Sequence, residues 1–190
     1  TGKRLGIMGA GGIGAAIALA AKPFGLEVIG LNSDGRAVEG FAACYPSADR
    51  LVFAEGIDYL VSVLPQTAHT ENLIDHEVLT RLNPRAIVIN AGRGNAVVEA
   101  DLIASLNAGH LRAAVLDVFR VEPLPPDDPL WSTPGVHITS HTAGPTPDEA
   151  IAGVFERNLQ RYIAGEPLTD AVRSSPVSYT HLTLPTTHDV

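Results

Sequence analysis

The sequence predicts an α/β protein built on a doubly wound parallel sheet in three αβα layers. Three observations carry this. Short apolar runs of strand length alternate with longer helix-like stretches, the pattern of βαβ units whose sheet is covered on both faces. A glycine-rich turn follows the first such run directly. The chain has 190 residues, 45% of them hydrophobic, enough for one full core and part of a second domain.

Strands are expected at Arg4 to Met8, Glu27 to Leu31, Tyr59 to Leu64, Ala86 to Asn90, Ala114 to Leu116 and Val136 to Thr139, six in all. Between them, Gly12 to Lys22 is Ala-rich and reads as helix, and Glu99 to Ala108 repeats apolar residues at helical spacing. Asp148 to Ala164 reads as a long helix. No internal repeat is present. The stretch from Glu122 to Pro129 carries four prolines and is expected to be a loop, because proline lacks an amide donor and fixes φ. Such loops often carry function.

A formal charge of −8, with no cluster of Lys or Arg, argues against nucleic acid or an anionic membrane as partner and favours a small soluble ligand. The single cysteine, Cys44, cannot form an internal disulfide, and no Cys/His spacing suggests a metal site. Cys44 is read as a small apolar residue. No apolar run approaches the roughly 20 residues of a membrane span, and the N-terminus lacks a signal-peptide layout, so a cytoplasmic location is expected.

Gly9-Ala10-Gly11-Gly12-Ile13-Gly14 is a GxGxxG that closes a strand and opens a helix, the context in which this pattern gains meaning. Gly9 permits the tight turn, Gly11 removes a side chain that would block a pyrophosphate, and Gly14 lets helix and strand pack closely. Free amides and the helix dipole then attract the anion. A glycine turn without ligand and a methyltransferase-type loop are the alternatives to dinucleotide binding. The acidic residue that would bind the ribose hydroxyls of NAD at the end of the second strand is missing, and Asn32 stands there. Asn32, Ser33 and Arg36 would accept a 2′-phosphate, which leans the cofactor from NAD(H) to NADP(H). Asp34 weighs against that and is read as a turn residue before Gly35.

Three later motifs each follow a strand: Asn90-Ala91-Gly92-Arg93-Gly94, the run from Leu116 through Asp117 and Glu122 to Leu124, and Thr139-Ser140-His141-Thr142-Ala143-Gly144. In an open parallel sheet the C-terminal strand ends are the ligand edge, so these groups converge there. Singly, each has an ordinary structural explanation: a solvated Arg, a Glu before a turn, a histidine without a role. Their joint placement points to a site.

On these motifs the chain resembles the D-isomer-specific 2-hydroxyacid dehydrogenases, over about Leu5 to Val172, and Glu122 to Trp131 looks closest to a glyoxylate/hydroxypyruvate reductase branch. The resemblance implies a Rossmann-type coenzyme domain, NAD(P), a small 2-keto or 2-hydroxy acid substrate and a homodimer. It implies that Arg93 binds the substrate carboxylate and keto oxygen, that Glu122 pairs with His141, and that His141 is the acid/base. Asp117 would contact the nicotinamide carboxamide. Leu64, Pro65, Gln66, Thr67 and Thr70, with Ala91, Gly92, Ala143 and Gly144, would line the cofactor. The chemistry agrees. Charge grows on the carbonyl oxygen as hydride reaches its carbon, so a proton donor and a fixed cation are needed, and His and the two-pronged guanidinium suit these tasks. The family usually has Pro before the catalytic His, and Ser140 replaces it, which loosens a backbone restraint. A dinucleotide-sensing corepressor on the same fold is the competing class. Trp131 either covers the site or packs, and His69, His76, His110 and His137 receive no role.

The expected organisation is a dinucleotide-binding domain at 1–147, a helix at 148–173 returning to a substrate domain, and a foreign tail at 174–190. Thr1-Gly2-Lys3 carries no initiator Met and leads at once into a strand, so an upstream segment is expected to be missing, and with it part of the substrate site. Weak dinucleotide binding and little turnover follow for the chain alone. The tail from Pro176 to Thr187 resembles a translated sequencing adapter, a natural disordered tail being the other reading, and His181 and His188 are kept out of any mechanism.

Overall fold

The computed structural model describes residues 2–144 and 148–169, without the side chains of Asp148 and Ala150. The tail expected at 174–190 lies outside the described residues. The chain divides into two units, Thr1–Thr146 and Pro147–Val190.

In the first unit the elements run β1 (Arg4–Met8), α1 (Gly12–Ala21), β2 (Glu27–Asn32), β3 (Ala43–Pro46), α2 (Arg50–Ala54), β4 (Tyr59–Ser62), α3 (His76–Arg81), β5 (Ala86–Asn90), α4 (Glu99–Asn107), β6 (Leu111–Leu116) and β7 (Val136–Ile138). The seven strands form one sheet in the order β3-β2-β1-β4-β5-β6-β7, and every pairing is parallel. The chain starts at the middle and winds outward in both directions. A topological switch point therefore falls between β1 and β4, where the connections leave the sheet in opposite directions.

The expected strands form, with one addition. β3 is a four-residue edge strand with no fully buried residue, so it lacks the apolar signature of a central parallel strand. The five-residue α2 and six-residue α3 are too short to show helical periodicity. Tertiary contacts hold them: Asp75 caps α3 by accepting from Val78 N at 3.1 Å, and Arg50 reaches Asp75 at 2.6 Å. β4 stops at Ser62, ahead of Pro65, rather than at Leu64, and β6 begins at Leu111.

Alternation along the strands feeds two cores. Leu5, Ile7, Val28 and Val61 pack with Ala18 and Ala21 of α1 on one face. Phe53, Ile57, Leu60, Leu79, Leu102 and Leu116 are completely or almost completely buried and pack with α2, α3 and α4 on the other. Burying one such side chain contributes roughly 1.5–3 kcal/mol, so both layers anchor the sheet and fix its C-terminal edge. α4 starts with Glu99 and Asp101 in its first turn, where negative charge meets the positive end of the helix dipole.

The second unit contains α5 (Asp148–Ile163). Its exposed Ile151, Phe155, Leu159 and Ile163 recur every four residues and make one apolar stripe. Arg161 closes its end by donating to Pro167 O at 2.6 Å. Among the described residues no helix is long and apolar enough to cross a membrane.

Candidate active site

The glycine turn joins β1 to α1. Gly9 adopts φ +104°, and the amides of Gly9 and Ala10 both donate to Leu31 O, at 2.9 and 3.1 Å, tying the turn to the end of β2. A Cβ on Gly14 would lie 2.1 Å from Gly9 O, so no side chain fits there. At Gly11 and Gly12 an added Cβ meets nothing within 4 Å. The turn is thus closed on its protein side and open on its solvent side, where α1 begins at Gly12 with no side-chain cap on its amides. This suits a pyrophosphate at a helix N-terminus. Ile13 is exposed beside it.

After β2, Asn32 is occupied by its own turn. Its Oδ1 accepts from Asp34 N at 3.3 Å and Gly35 N at 2.5 Å, and its Nδ2 donates to Arg36 O at 2.8 Å. Ser33 and Arg36 are exposed, and Arg36 pairs with Asp34 at 3.3 Å. The backbone amide of Arg36, and then its guanidinium, hold the Asp34 carboxyl below the usual range. Asn32 therefore shapes the loop, while Ser33 and Arg36 present polar groups to solvent.

The residues of the loop after β4 expected to line the cofactor divide by exposure. Thr70 is buried, and its hydroxyl accepts from Thr67 N at 2.9 Å and contacts Pro65 O at 2.7 Å. Leu64 is buried in the core, whereas Pro65 and Gln66 are exposed. Thr70 and Leu64 hold the loop from beneath: burial of the apolar Leu64 side chain is favourable, and the hydrogen bonds of the Thr70 hydroxyl offset the cost of taking it out of water.

Arg93 sits in a turn that only small residues permit. A Cβ on Gly92 would lie 2.6 Å from Leu64 N and O, and one on Gly94 would lie 1.9 Å from the carbonyl carbon of Phe119. Ala91 N donates to Ser62 O at 3.0 Å, and buried Asn90 donates to Arg93 O at 3.1 Å. Arg93 itself uses Nη1 on Gly92 O at 2.7 Å, which leaves further guanidinium donors for a ligand.

The loops after β6 and β7 are locked together by Asp117, only 5% exposed. Its carboxylate accepts from the Thr139 hydroxyl, from Thr142 N at 2.9 Å and from Ala143 N at 2.9 Å, while its carbonyl accepts from His141 N at 2.8 Å. Burial works to raise the Asp117 carboxyl, but these donors and His141 hold it below its ordinary value. His141 takes a left-handed backbone, φ +55°. Gly144, further along the chain, is exposed.

His141 Nδ1 lies 2.8 Å from Glu122 Oε2, and Glu122 Oε1 accepts from Phe119 N at 2.9 Å. Burial acts to raise the Glu122 carboxyl, yet the bonds to His141 and Phe119 and the nearby charge of Arg93 keep it low. Arg93, Glu122 and His141 line one polar cleft of about 420 Å³ with Gln66, Glu71 and Arg120. A second cleft of about 490 Å³, mostly apolar, adjoins it and shares Glu122 and His141. Trp131 is in its wall, its Nε1 donating to Pro125 O at 2.8 Å.

Residues 1–143 match the family model described as "D-isomer specific 2-hydroxyacid dehydrogenase, NAD binding domain". The chain belongs to the D-isomer-specific 2-hydroxyacid dehydrogenase family. Within that family it is 40% identical, over 88% of its length, to the glyoxylate/hydroxypyruvate reductase A of Klebsiella pneumoniae strain 342, and covers 54% of that relative. The chain thus spans about half the length of the curated relatives it matches. Among solved structures it resembles a D-isomer-specific 2-hydroxyacid dehydrogenase from Xanthobacter autotrophicus Py2 in complex with NADPH, with TM-score 0.84, 38% identity, and coverage of 90% of this chain and 71% of that one. The NADPH-dependent glyoxylate/hydroxypyruvate reductase of Sinorhizobium meliloti, in complex with NADP and sulfate, gives TM-score 0.82 and 34% identity, covering 90% and 55%.

In this dehydrogenase-family chain the glycine turn and the sheet edge form a Rossmann-type coenzyme domain. Arg93, Glu122 and His141, expected together from the sequence, line one cleft, whereas the side chains of Asn32 and Thr70 are engaged within their own loops. Sequence reading missed Glu71, Asn95 and Arg120, which stand beside the trio in that cleft. A charged residue two positions before Glu122 was the available signal for Arg120. Among the described residues no cluster of His, Cys, Asp or Glu forms a metal site.

Proposed function

We propose that this chain supplies the coenzyme-binding and acid/base half of an NADP(H)-dependent reductase of small 2-keto acids, glyoxylate and hydroxypyruvate foremost. The observation that carries this is the Glu122–His141 pair lining the same polar cleft as Arg93, on the sheet edge that holds the glycine turn. A bound nicotinamide would supply or take the hydride. Arg93 binds and orients the substrate carboxylate and fixes the carbonyl. Ionised Glu122 is an acceptor only, so it holds the hydrogen on His141 Nδ1 and leaves Nε2 to pass a proton to the carbonyl oxygen, or to take one from the alcohol.

Gly9, Gly11, Gly12, Ile13 and Gly14 would hold the pyrophosphate; Asn32 shapes the ribose loop, and Ser33 and Arg36 meet a 2′-phosphate. Pro65, Ala91, Gly92, Ala143 and Gly144 border the nicotinamide side, and Asp117 orders that edge. The lean to NADP(H) is supported by Asn32 in place of an acidic residue at the end of β2 and by the NADP complexes of the two relatives named above. The working protein is a cytoplasmic homodimer in this reading. The relatives named above are reductases and dehydrogenases rather than regulators.

The test is an assay of the complete protein on glyoxylate, hydroxypyruvate and phosphoglycerate with each cofactor, following the reduced nicotinamide. Reduction of the first two with NADPH is expected. Failure on every 2-hydroxy and 2-keto acid would overturn the reading.

A further inference from the structure

Arg120 has no part in the chemistry above, yet it stands two positions before Glu122 and has more specified contacts than its exposed position requires. Its Nε donates to Val97 O at 2.9 Å, its Nη1 to Glu71 Oε1 at 2.9 Å, and its Nη2 to Asn95 O at 2.9 Å and to the Asn72 side chain. The other Glu71 oxygen accepts from Asn95 Nδ2 at 3.0 Å. Its own amide donates to Glu99 Oε1 at 3.1 Å. The Asn95 amide, followed by Arg120, holds the Glu71 carboxyl below its ordinary range. The acceptors of the Arg120 guanidinium sit on two loops. Glu71 and Asn72 follow β4, whereas Asn95 and Val97 belong to the turn that carries Arg93.

We infer that Arg120, with Glu71 as its counter-ion, is a positioning residue that sets the separation between Arg93 and the Glu122–His141 pair. Arg93 and Glu122 ride on different loops, and nothing covalent near the site fixes their distance. Two groups that engage opposite ends of one small molecule must be held to within about 0.5 Å. Gly94 already packs directly beneath Phe119, so the two loops touch on their inner side. Arg120 adds a second tie between them through the Val97 and Asn95 carbonyls, and its ion pair with Glu71 joins the loop after β4 to the same anchor. A planar guanidinium with five donors satisfies that set at once, and an ammonium on a flexible stem does not. The role rests on the reading of Arg93 and His141 as carboxylate and proton-transfer groups, whereas the tie itself is measurable without it.

The experiment compares the complete protein with its Arg120→Ala, Arg120→Lys and Glu71→Gln variants. In Arg120→Ala, amide exchange at Ala96 and Val97, which close the turn onto Arg93 O and Gly94 O, is expected to rise about tenfold while β5 stays protected. The KM for glyoxylate is expected to rise about tenfold to a hundredfold with the KM for NADPH unchanged. Glu71→Gln should give a weaker form of the same pattern, and Arg120→Lys a partial return. Unchanged exchange in the turn overturns the tie. Faster exchange with an unchanged glyoxylate KM overturns the positioning role, as does loss of β5 protection, which would mark a merely structural residue. If Arg120→Ala does not fold, the Lys and Gln variants decide by the same two readouts. An unmodified protein that reduces no 2-keto acid sinks the dehydrogenase reading and the positioning role with it, while the exchange result still decides the tie.

Discussion

Glu122 Oε2 lies 2.8 Å from His141 Nδ1, and this contact engages one ring nitrogen and leaves Nε2 as the other. His141→Ala is therefore expected to lower kcat by about 10²- to 10⁴-fold, the usual worth of a positioned proton donor. The Kd for NADPH should stay where it is. Stopped-flow reduction of glyoxylate and cofactor fluorescence titration measure the two separately, and undiminished turnover would remove His141 from the chemistry.

Glu122 also makes a pH prediction with a definite sign. Its carboxyl is held below the ordinary value of 4.5, so its pairing stabilises the fold above that value, and the contribution is lost as pH falls through the lower folded pKa. The pair is partly exposed, which keeps the effect small. Denaturant unfolding over the acid range should show this component in the parent and not in Glu122→Gln.

Asp117 is buried, and its carboxylate receives three donors. Asp117→Asn turns one acceptor into a donor facing the loop amides. A loss of about 1–3 kcal/mol in unfolding free energy is expected, the cost of a buried polar mismatch. The loop that holds His141 at positive φ should loosen as well, so kcat should fall. A variant as stable and active as the parent would contradict the anchoring described for this loop.

The glycines of the first turn divide by the space around them. Gly14→Ala places a Cβ 2.1 Å from Gly9 O and is expected to cost about 1–3 kcal/mol through forced backbone movement. Gly11→Ala meets no protein atom, so the melting temperature should hardly move while the Kd for NADPH weakens about tenfold or more. Equal effects of the two changes on stability would argue against this division.

Cofactor choice is testable at the end of β2. Asp34 pairs with Arg36 and repels a phosphate, so Asp34→Ala should strengthen NADPH binding over NADH. Arg36→Ala should do the reverse, with a weaker salt dependence of NADPH affinity. Identical NADPH to NADH ratios in both variants would rule out this loop as the selector.

Much was legible in the residues alone. Central parallel strands are buried on both faces and read as continuous apolar runs, so β1, β2, β4 and β5 announced themselves. β3 did not, because an edge strand meets the core on fewer sides, and α2 and α3 did not, because helices of one or two turns owe their existence to packing rather than periodicity. The trio Arg93, Glu122 and His141 was found from its placement after successive strands.

The sequence by itself determined the fold class, the glycine turn and the three motifs at strand ends, since each depends on local pattern: apolar period, glycine spacing, the strand ends where motifs fall. Only the tertiary structure decided which polar groups are free to act. Asn32 and Thr70 use their side chains on their own loops, Asp117 is bound by the His141 loop, and Arg120 spans loops that follow three different strands. Hydrogen-bond capacity is finite and is allotted by distance in space, which a linear order of residues does not contain.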